Sequence, residues 1–454
     1  MSQVDIENRD MLARTQAHDI AIECLAAGIE AAHPATVVPD SLSVTDGQLT
    51  VDAADGRQAV YELTAYEEVV IVGGGNAAGS VAAELEAILG DRVDGGAVVT
   101  DGPAPTDVVD VLPGNHPLPS TEGIASTQTV LERAAAAGED DLVVAVITGG
   151  ASALLAGPAE GVGLSDLRET TDELLACGAS IDEINAVRKH CSAIKGGGLA
   201  RAVAPATLCT LVVSDVVGDD LSVIGSGPTV SDPSSYADAR SVIDRYDLEV
   251  PEAVQTHLEA GDAGKRAETP AHDDPVFDRT ETYLLATGWT ALEAARRVAD
   301  RRGYEPLVLA SRVRGEAREA ALTHVAIAEE CLEMETPVDP PAVLLSGGET
   351  TVTLGTDPGT GGPNQEFVTS AAVSLEVDDI VVASVDTDGI DGATDAAGAL
   401  ADATTIPADD GRDALEANDV FPLLEDANAL IRTGPTGTNV NDLRVFVVES
   451  VDCT

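Results

Sequence analysis

Between residues 10 and 33 the apolar positions Leu12, Ala17, Ile20, Ile22, Leu25 and Ile29 recur at roughly helical spacing, which predicts a helix. Residues 69–72 follow as an unbroken β-branched run, the pattern of a short buried strand, and end in Gly73, Gly74 and Gly75. Residues 77–89 then have the Ala, Leu and Glu content of a helix, and residues 96–100 return to a strand pattern. Strand, helix and strand in that order predict a βαβ unit, and therefore a parallel sheet covered by helices. The same order recurs at Leu142–Ile147, running into Thr148-Gly149-Gly150-Ala151-Ser152, and at residues 342–345, running into Ser346-Gly347-Gly348-Glu349-Thr350.

Strands near 69, 97, 142 and 208 alternate with helical patterns until a polar, proline-bearing stretch over residues 261–279 interrupts them. Strands near 284, 306, 343, 380 and 444 form a second alternating series. The pattern predicts two α/β domains with largely parallel, Rossmann-like sheets, one over residues 1–260 and one over 281–454, joined by a linker at 261–280. Ligands of such folds sit at the carboxyl ends of strands, where the glycine turns lie.

Charge alters the picture most. Asp and Glu number 79 against 25 Lys and Arg, a net charge of −54 over 454 residues. Partners that require a basic surface are excluded, so the expectation is no nucleic acid and no anionic membrane. Apolar residues make up 44% of the chain, enough for a folded core despite the charge. Lysine is nearly absent, with only Lys189, Lys195 and Lys265, and this acidic, arginine-skewed composition matches a haloarchaeal-like cytosol of high salt. The six cysteines, Cys24, Cys177, Cys191, Cys209, Cys331 and Cys453, show no CxxC pair and no zinc spacing, which predicts reduced thiols. The first 20 residues lack a signal-peptide core and no apolar run reaches the ~20 residues of a membrane span, so the expected location is the cytoplasm. A homodimer is left open.

The first glycine turn continues as Asn76-Ala77-Ala78-Gly79 at a strand-to-helix junction, where backbone amides and a helix N-terminus can hold an anion. Asp101 closes the next strand, about where the ribose-binding acid of a dinucleotide site would stand. A tight turn that needs glycine for close packing accounts for the same residues. The helix starting at Ser180 is better defined, because Ser180 and Glu183 form a capping box and Ile184, Val187, Cys191 and Ile194 make one apolar stripe. In that register Asn185, Lys189 and Ser192 share one polar stripe, and Arg188 and Lys195 share another. Two of three lysines kept within seven residues, ahead of Gly196-Gly197-Gly198, point to anion contacts, with surface salt bridges as the alternative.

Carboxylates at strand ends can hold Mg²⁺ or accept a proton, and Asp215 after the strand at 208–213 and Asp386 and Asp388 after the strand at 380–384 are so placed. The run Asp386-Thr387-Asp388-Gly389-Ile390-Asp391 lacks the later glutamate of an EF-hand. Asn364 and Gln365 open a helix after a glycine-rich stretch and can hydrogen-bond a small polar ligand. His116, in a proline-flanked turn, reads as structural.

Taken together, VIVGGGNAAGS, GNHPLP, VITGGASALL, EINAVRKHCSAIKGGGLA, LVVSDVVGDDLSVIGSGPT, LLSGGETTVTLG, GGPNQEF, DTDGIDGATDAAGA and TGPTGTNVNDL occur in this order and closely resemble the glycerate kinases of the MOFRL type. The resemblance spans nearly the whole chain. It implies two α/β domains, the second of MOFRL type, with an active site in the cleft between them, and transfer of the γ-phosphoryl group of ATP to D-glycerate, mostly at the 2-hydroxyl, with Mg²⁺. It places phosphate or substrate at Gly73, Gly74 and Gly75, at Gly149, Gly150 and Ser152, at Ser346, Gly347, Gly348, Glu349 and Thr350, and at Arg188, Asn364 and Gln365. Lys189, Lys195, Asp215 and Asn76 become the catalytic candidates, and Asp386 and Asp388 the metal ligands. The chain departs from the family twice: Asn76 stands where the glycine turn usually carries lysine, and Pro363 where the GGRNQE segment carries arginine. Two other functions fit fewer motifs: an NAD(P)H-dependent hydroxypyruvate reductase, an older label within the family, and a catalytically impaired ligand-binding homologue.

Overall fold

The computed structural model describes residues 4–450, so Cys453 lies outside the described residues. The chain divides into two compact units, Val37–Leu285 and the residues up to Thr36 together with those from Ala286 onward.

In the Val37–Leu285 unit, β1 (Leu42–Thr45), β2 (Gln48–Asp52) and β3 (Gln58–Glu62) form a small antiparallel sheet. The main sheet comprises β4 (Val69–Gly74), β5 (Gly95–Thr100), β6 (Asp110–Pro113), β7 (Leu142–Ile147), β8 (Thr207–Val213) and β9 (Thr280–Ala286), in the order β6-β5-β4-β7-β8-β9. Every pairing from β6 to β8 is parallel. β4 and β7 are buried at each position, which is why they read as unbroken apolar runs. From β4 the chain moves outward through β5 to β6, then restarts at β7 on the other side and moves out through β8. The carboxyl ends of β4 and β7 therefore flank a topological switch point, where open α/β sheets bind ligands.

A separate apolar cluster, including Leu174, Ile184, Val187, Tyr236, Val242 and Leu258, joins the helices Leu164–Ala176, Ile181–His190, Tyr236–Tyr246 and Glu252–Asp262. It fixes the helix that begins after Ser180. Both arms of the predicted capping box are present there, and Ile184, Val187 and Cys191 are buried as the stripe requires.

The other unit holds β10 (Glu305–Val313), β11 (Ala342–Gly348), β12 (Ile380–Asp386), β13 (Gly398–Asp402), β14 (Leu430–Ile431) and β15 (Asp442–Val448), in the order β10-β11-β15-β12-β13-β14. β10 pairs with β11 in parallel and the remaining pairings are antiparallel. The expectation of a largely parallel second sheet is thereby corrected. β15 returns to the middle of the sheet, and a fully buried apolar run looks the same whichever way its neighbours point.

The division of the chain also differs from the expected one. β9 neighbours β8 in the first sheet instead of opening the second, and residues 261–279 are tied to the first unit by Asp232 N–H to Pro270 O (2.9 Å) and Leu208 N–H to Arg279 O (2.9 Å). The predicted N-terminal helix is broken into Arg9–Leu12 and Gln16–Ala32, and it belongs to the unit formed mainly by the C-terminal half. Ile20, Ile22, Leu25 and Ile29 are fully buried there, and Arg302 pairs with Asp19 at 3.1 Å. Among the described residues no single helix is long and apolar enough to cross a membrane.

Candidate active site

A cavity of about 520 Å³ opens in the Val37–Leu285 unit, lined by the turn after β7, the turn after β8 and the helix Ile181–His190. Gly150 adopts φ +78° in the first of these turns, which a side chain would disfavour, and leads into Ala151 and Ser152 on the cavity wall. Asp215 lines the cavity from the β8 turn. A Cβ on Gly149 would come 2.6 Å from Asp215 Oδ2, so glycine allows the two turns to pass.

Lys195 enters this cavity without a carboxylate partner. Its Nζ donates to Ser152 O at 2.6 Å and lies 3.4 Å from Ser152 Oγ. Ser152 Oγ lies 2.9 Å from Ser226 Oγ, which donates to Asn185 Oδ1 at 3.2 Å, while the buried Asn185 Nδ2 has no partner. Burial, reinforced by the Arg188 guanidinium, pushes the Lys195 ammonium down to about 7. Arg188 also lines the cavity, and among the described residues it is the partly buried arginine with neither an ion pair nor a hydrogen bond to protein. Burial lowers its proton affinity as well. Arg188 and Lys195 thus share one cavity wall without a carboxylate partner, in a chain of net charge −54.

Several predicted residues lie elsewhere. Lys189 does not line the cavity and ion-pairs with Asp232 at 3.2 Å, both side chains being buried. Gly73 and Gly75 have φ +138°, and a Cβ at either would overlap β7 or the turn after it, at Val146 O and Thr148 Oγ1. The amides of the turn are already engaged: Gly75 N–H with Val99 O, Asn76 N–H with Gly149 O, Ala77 N–H with Thr148 Oγ1 and Ala78 N–H with Gly75 O. The close-packing explanation of this turn thus replaces the phosphate one, for Gly73 and Gly75 as for the buried Gly74 between them. Asn76 is exposed and is not part of the cavity lining. His116, taken as structural, does line the cavity, as do Asn185 and Ser226.

The second unit gathers its polar residues around β12 and β15. Asp442 accepts from Asn364 Nδ2 (2.7 Å) and Thr350 N–H (3.1 Å), and it pairs with the fully buried Arg444. Arg444 also donates to Thr350 Oγ1 at 2.9 Å and lies over the Phe367 ring. Asp391 accepts from the N–H groups of Asn364 and Gln365, both at 2.9 Å, and so caps the helix Pro363–Ser374; burial pushes Asp391 up to about 7. Asn364 and Gln365 are therefore interior residues that organise this network, where the sequence suggested ligand contact. Ser346 is buried, its hydroxyl 2.8 Å from His324 Nε2, and Gly347 and Gly348 lie within the β11 ladder, leaving Glu349 as the exposed residue of that turn. Pro363, at the first position of its helix, suits a site that needs no N–H donor. Asp386 ends β12, and its carboxylate accepts from Asp388 N–H at 3.1 Å. Burial and the neighbouring Asp388 and Asp442 raise its proton affinity well above the carboxylate norm. Among the described residues no group of three or more His, Cys, Asp and Glu side chains is arranged to hold a metal ion.

The fold and the cavity define an α/β protein with Arg188 and Lys195 on the wall of a cavity at the carboxyl ends of β7 and β8 in a parallel sheet. A profile described as a domain of unknown function, DUF4147, matches residues 20–259, and the MOFRL family profile matches residues 342–442. A glycerate 2-kinase of Pyrococcus horikoshii is 38% identical, covering 95% of this chain and 97% of its own. A protein of Agrobacterium vitis, provisionally named a hydroxypyruvate reductase, is 42% identical over 84% of this chain and 87% of its own. The crystal structure of a Thermotoga maritima glycerate kinase superposes with a TM-score of 0.82 at 35% identity, covering 94% of this chain and 98% of that one. The chain belongs to the MOFRL-type glycerate kinase family.

Proposed function

We propose that the protein is a glycerate 2-kinase, transferring the terminal phosphoryl group of ATP to the 2-hydroxyl of D-glycerate. The observation that carries this reading is the pair Arg188 and Lys195, held without carboxylate partners on the wall of one cavity. Phosphoryl transfer depends on charge neutralisation and positioning, and preformed cations in a partly desolvated site supply both. Arg188 presents a planar fork suited to phosphoryl or carboxylate oxygens, and Lys195 a point charge fixed by Ser152. Asp215, on the same wall, is the proposed acceptor of the substrate hydroxyl proton.

We assign Mg²⁺ to Asp386 and Asp388. The residues fit the ion, because Mg²⁺ usually takes one or two carboxylates and completes its shell with water and phosphate oxygens. Burial raises the proton affinity of Asp386 most and the neighbouring Asp388 and Asp442 add to it, and a cation beside Asp386 would offset the like-charge part. When bound, Mg²⁺ would neutralise phosphate charge.

The names of the Agrobacterium relatives favour a hydroxypyruvate reductase as a second reading. Against it stand the engaged amides from Gly75 to Ala78, since a dinucleotide fingerprint needs that turn to receive a pyrophosphate. The loss of the family lysine and arginine at Asn76 and Pro363 favours an impaired homologue, and the charge supplied by Arg188 and Lys195 argues for retained turnover. Arg188→Ala and Lys195→Met decide the matter: each should lower kcat/KM about 100-fold or more with the fold intact. Unchanged kinetics in both variants would remove the cation pair from the mechanism.

A further inference from the structure

Residues 261–279, which the sequence suggests as a linker between domains, are tied instead to the helix that carries Arg188, and Glu268 makes the tie. Its Oε2 lies 3.1 Å from His190 Nε2 and accepts from Tyr236 N–H at 3.2 Å, while its carbonyl accepts from Arg201 Nη2 at 2.7 Å. Tyr236 opens the helix Tyr236–Tyr246, so Glu268 satisfies one of the first N–H groups, which have no partner within a helix. His190 closes the helix Ile181–His190 and its ring is buried. Nδ1 donates to Ala186 O at 2.7 Å, the Tyr236 ring packs edge-on at 4.6 Å, and the His190 carbonyl accepts from His257 Nε2 at 2.8 Å.

We infer that Glu268 is a positioning residue: through His190 it fixes the last turn of the helix Ile181–His190 and so sets where Arg188 stands in the cavity. The inference rests on the role proposed above for Arg188. Among the described residues Arg188 has neither an ion pair nor a hydrogen bond to protein, so the placement of its guanidinium follows the backbone of that helix. The helix has ten residues, too few to be stable without tertiary contacts. A capping box holds its start, and its end, which has no glycine cap, is held by Asp232 on Lys189 and by Glu268 on His190. Asp232 is buried, whereas 49% of the Glu268 side chain is exposed, so Glu268 can be replaced without opening a cavity. A misplacement of about 1 Å in a charge-stabilising group can cost about 100-fold in rate, so a slackened last turn should be visible in turnover.

The test is a double-mutant cycle of Glu268→Ala with Arg188→Ala, read as glycerate-dependent ADP release. Glu268→Ala alone should lower kcat/KM about tenfold. Glu268→Gln should recover most of that loss, because its amide still reaches His190 and the Tyr236 N–H. In the Arg188→Ala background, Glu268→Ala should change kcat/KM by less than about twofold, since the group it positions is already gone. A merely structural role would multiply the two losses, and that result would overturn the inference, as would unchanged kinetics in Glu268→Ala. Should Glu268→Ala fail to fold, Glu268→Asp, one methylene shorter, takes its place in the cycle with the same expectations. If the wild-type protein releases no ADP with glycerate, or Arg188→Ala keeps full kcat/KM, the kinase reading or the role of Arg188 fails separately. The NMR signal of the Arg188 Nε–H, assigned by its loss in Arg188→Ala, then decides: a shift in Glu268→Ala that Glu268→Gln reverses upholds the positioning, and an unmoved signal rejects it.

Discussion

Lys189 Nζ lies 3.2 Å from Asp232 Oδ1 with both side chains buried, whereas Lys195 Nζ meets the carbonyl and hydroxyl oxygens of Ser152 on a cavity wall. Truncating Lys189 strands a buried carboxylate, so Lys189→Ala should cost about 3 kcal/mol of stability, read from its denaturant midpoint. Lys195→Met should fold normally, because it removes a buried charge that has no counter-ion. The Lys195 ammonium titrates near 7 when folded, against 10.5 for an ordinary lysine. Its charge is therefore present below about pH 7 and lost above it, so kcat/KM for ATP should fall as pH rises through that region, and Lys195→Met should lack this limb. A profile unchanged by the substitution would mean that Lys195 does not meet the nucleotide. The sequence placed both lysines on polar stripes of a helix with a fixed register, and that much was legible. Which of them meets an acid depends on Asp232, 43 residues beyond Lys189, and no local pattern carries that information.

At the level of elements, β4 and its glycine turn show how one motif fits two explanations until packing decides. Gly73 and Gly75 sit at φ +138° against β7 and the turn after it, and the turn's amides serve neighbouring backbone and Thr148. Gly73→Ala should therefore destabilise the unit by at least ~2 kcal/mol or prevent folding, measured by thermal unfolding; near wild-type stability would contradict the packing account. The capping box at Ser180 was legible from spacing alone, and Ser180→Ala should cost about 1 kcal/mol in the same measurement. Strand positions were also legible, because buried β-branched runs announce themselves. Sheet direction was not, since β15 pairs antiparallel with both β11 and β12 and nothing in its apolar run says so. β1 to β3 escaped notice because their half-exposed alternation is too short to separate from a loop.

At the scale of the molecule, a net charge of −54 sets the conditions for every other property. Self-repulsion is screened within about 3 Å at 1 M salt, so the unfolding temperature should climb steadily from dilute buffer to multimolar KCl. A temperature independent of salt would remove the halophilic explanation of the composition. The partition of the chain was only partly legible: the strand series pointed to two α/β units, but the docking of Gln16–Ala32 with the C-terminal half is long-range packing that chain order does not reveal. The account as a whole meets its most direct test in ADP release from ATP and Mg²⁺, with and without D-glycerate, in multimolar KCl, followed by identification of the phosphoglycerate formed. It predicts glycerate-dependent ADP and 2-phosphoglycerate. Folded protein that releases no ADP, yet oxidises NADH or NADPH with hydroxypyruvate, would contradict it.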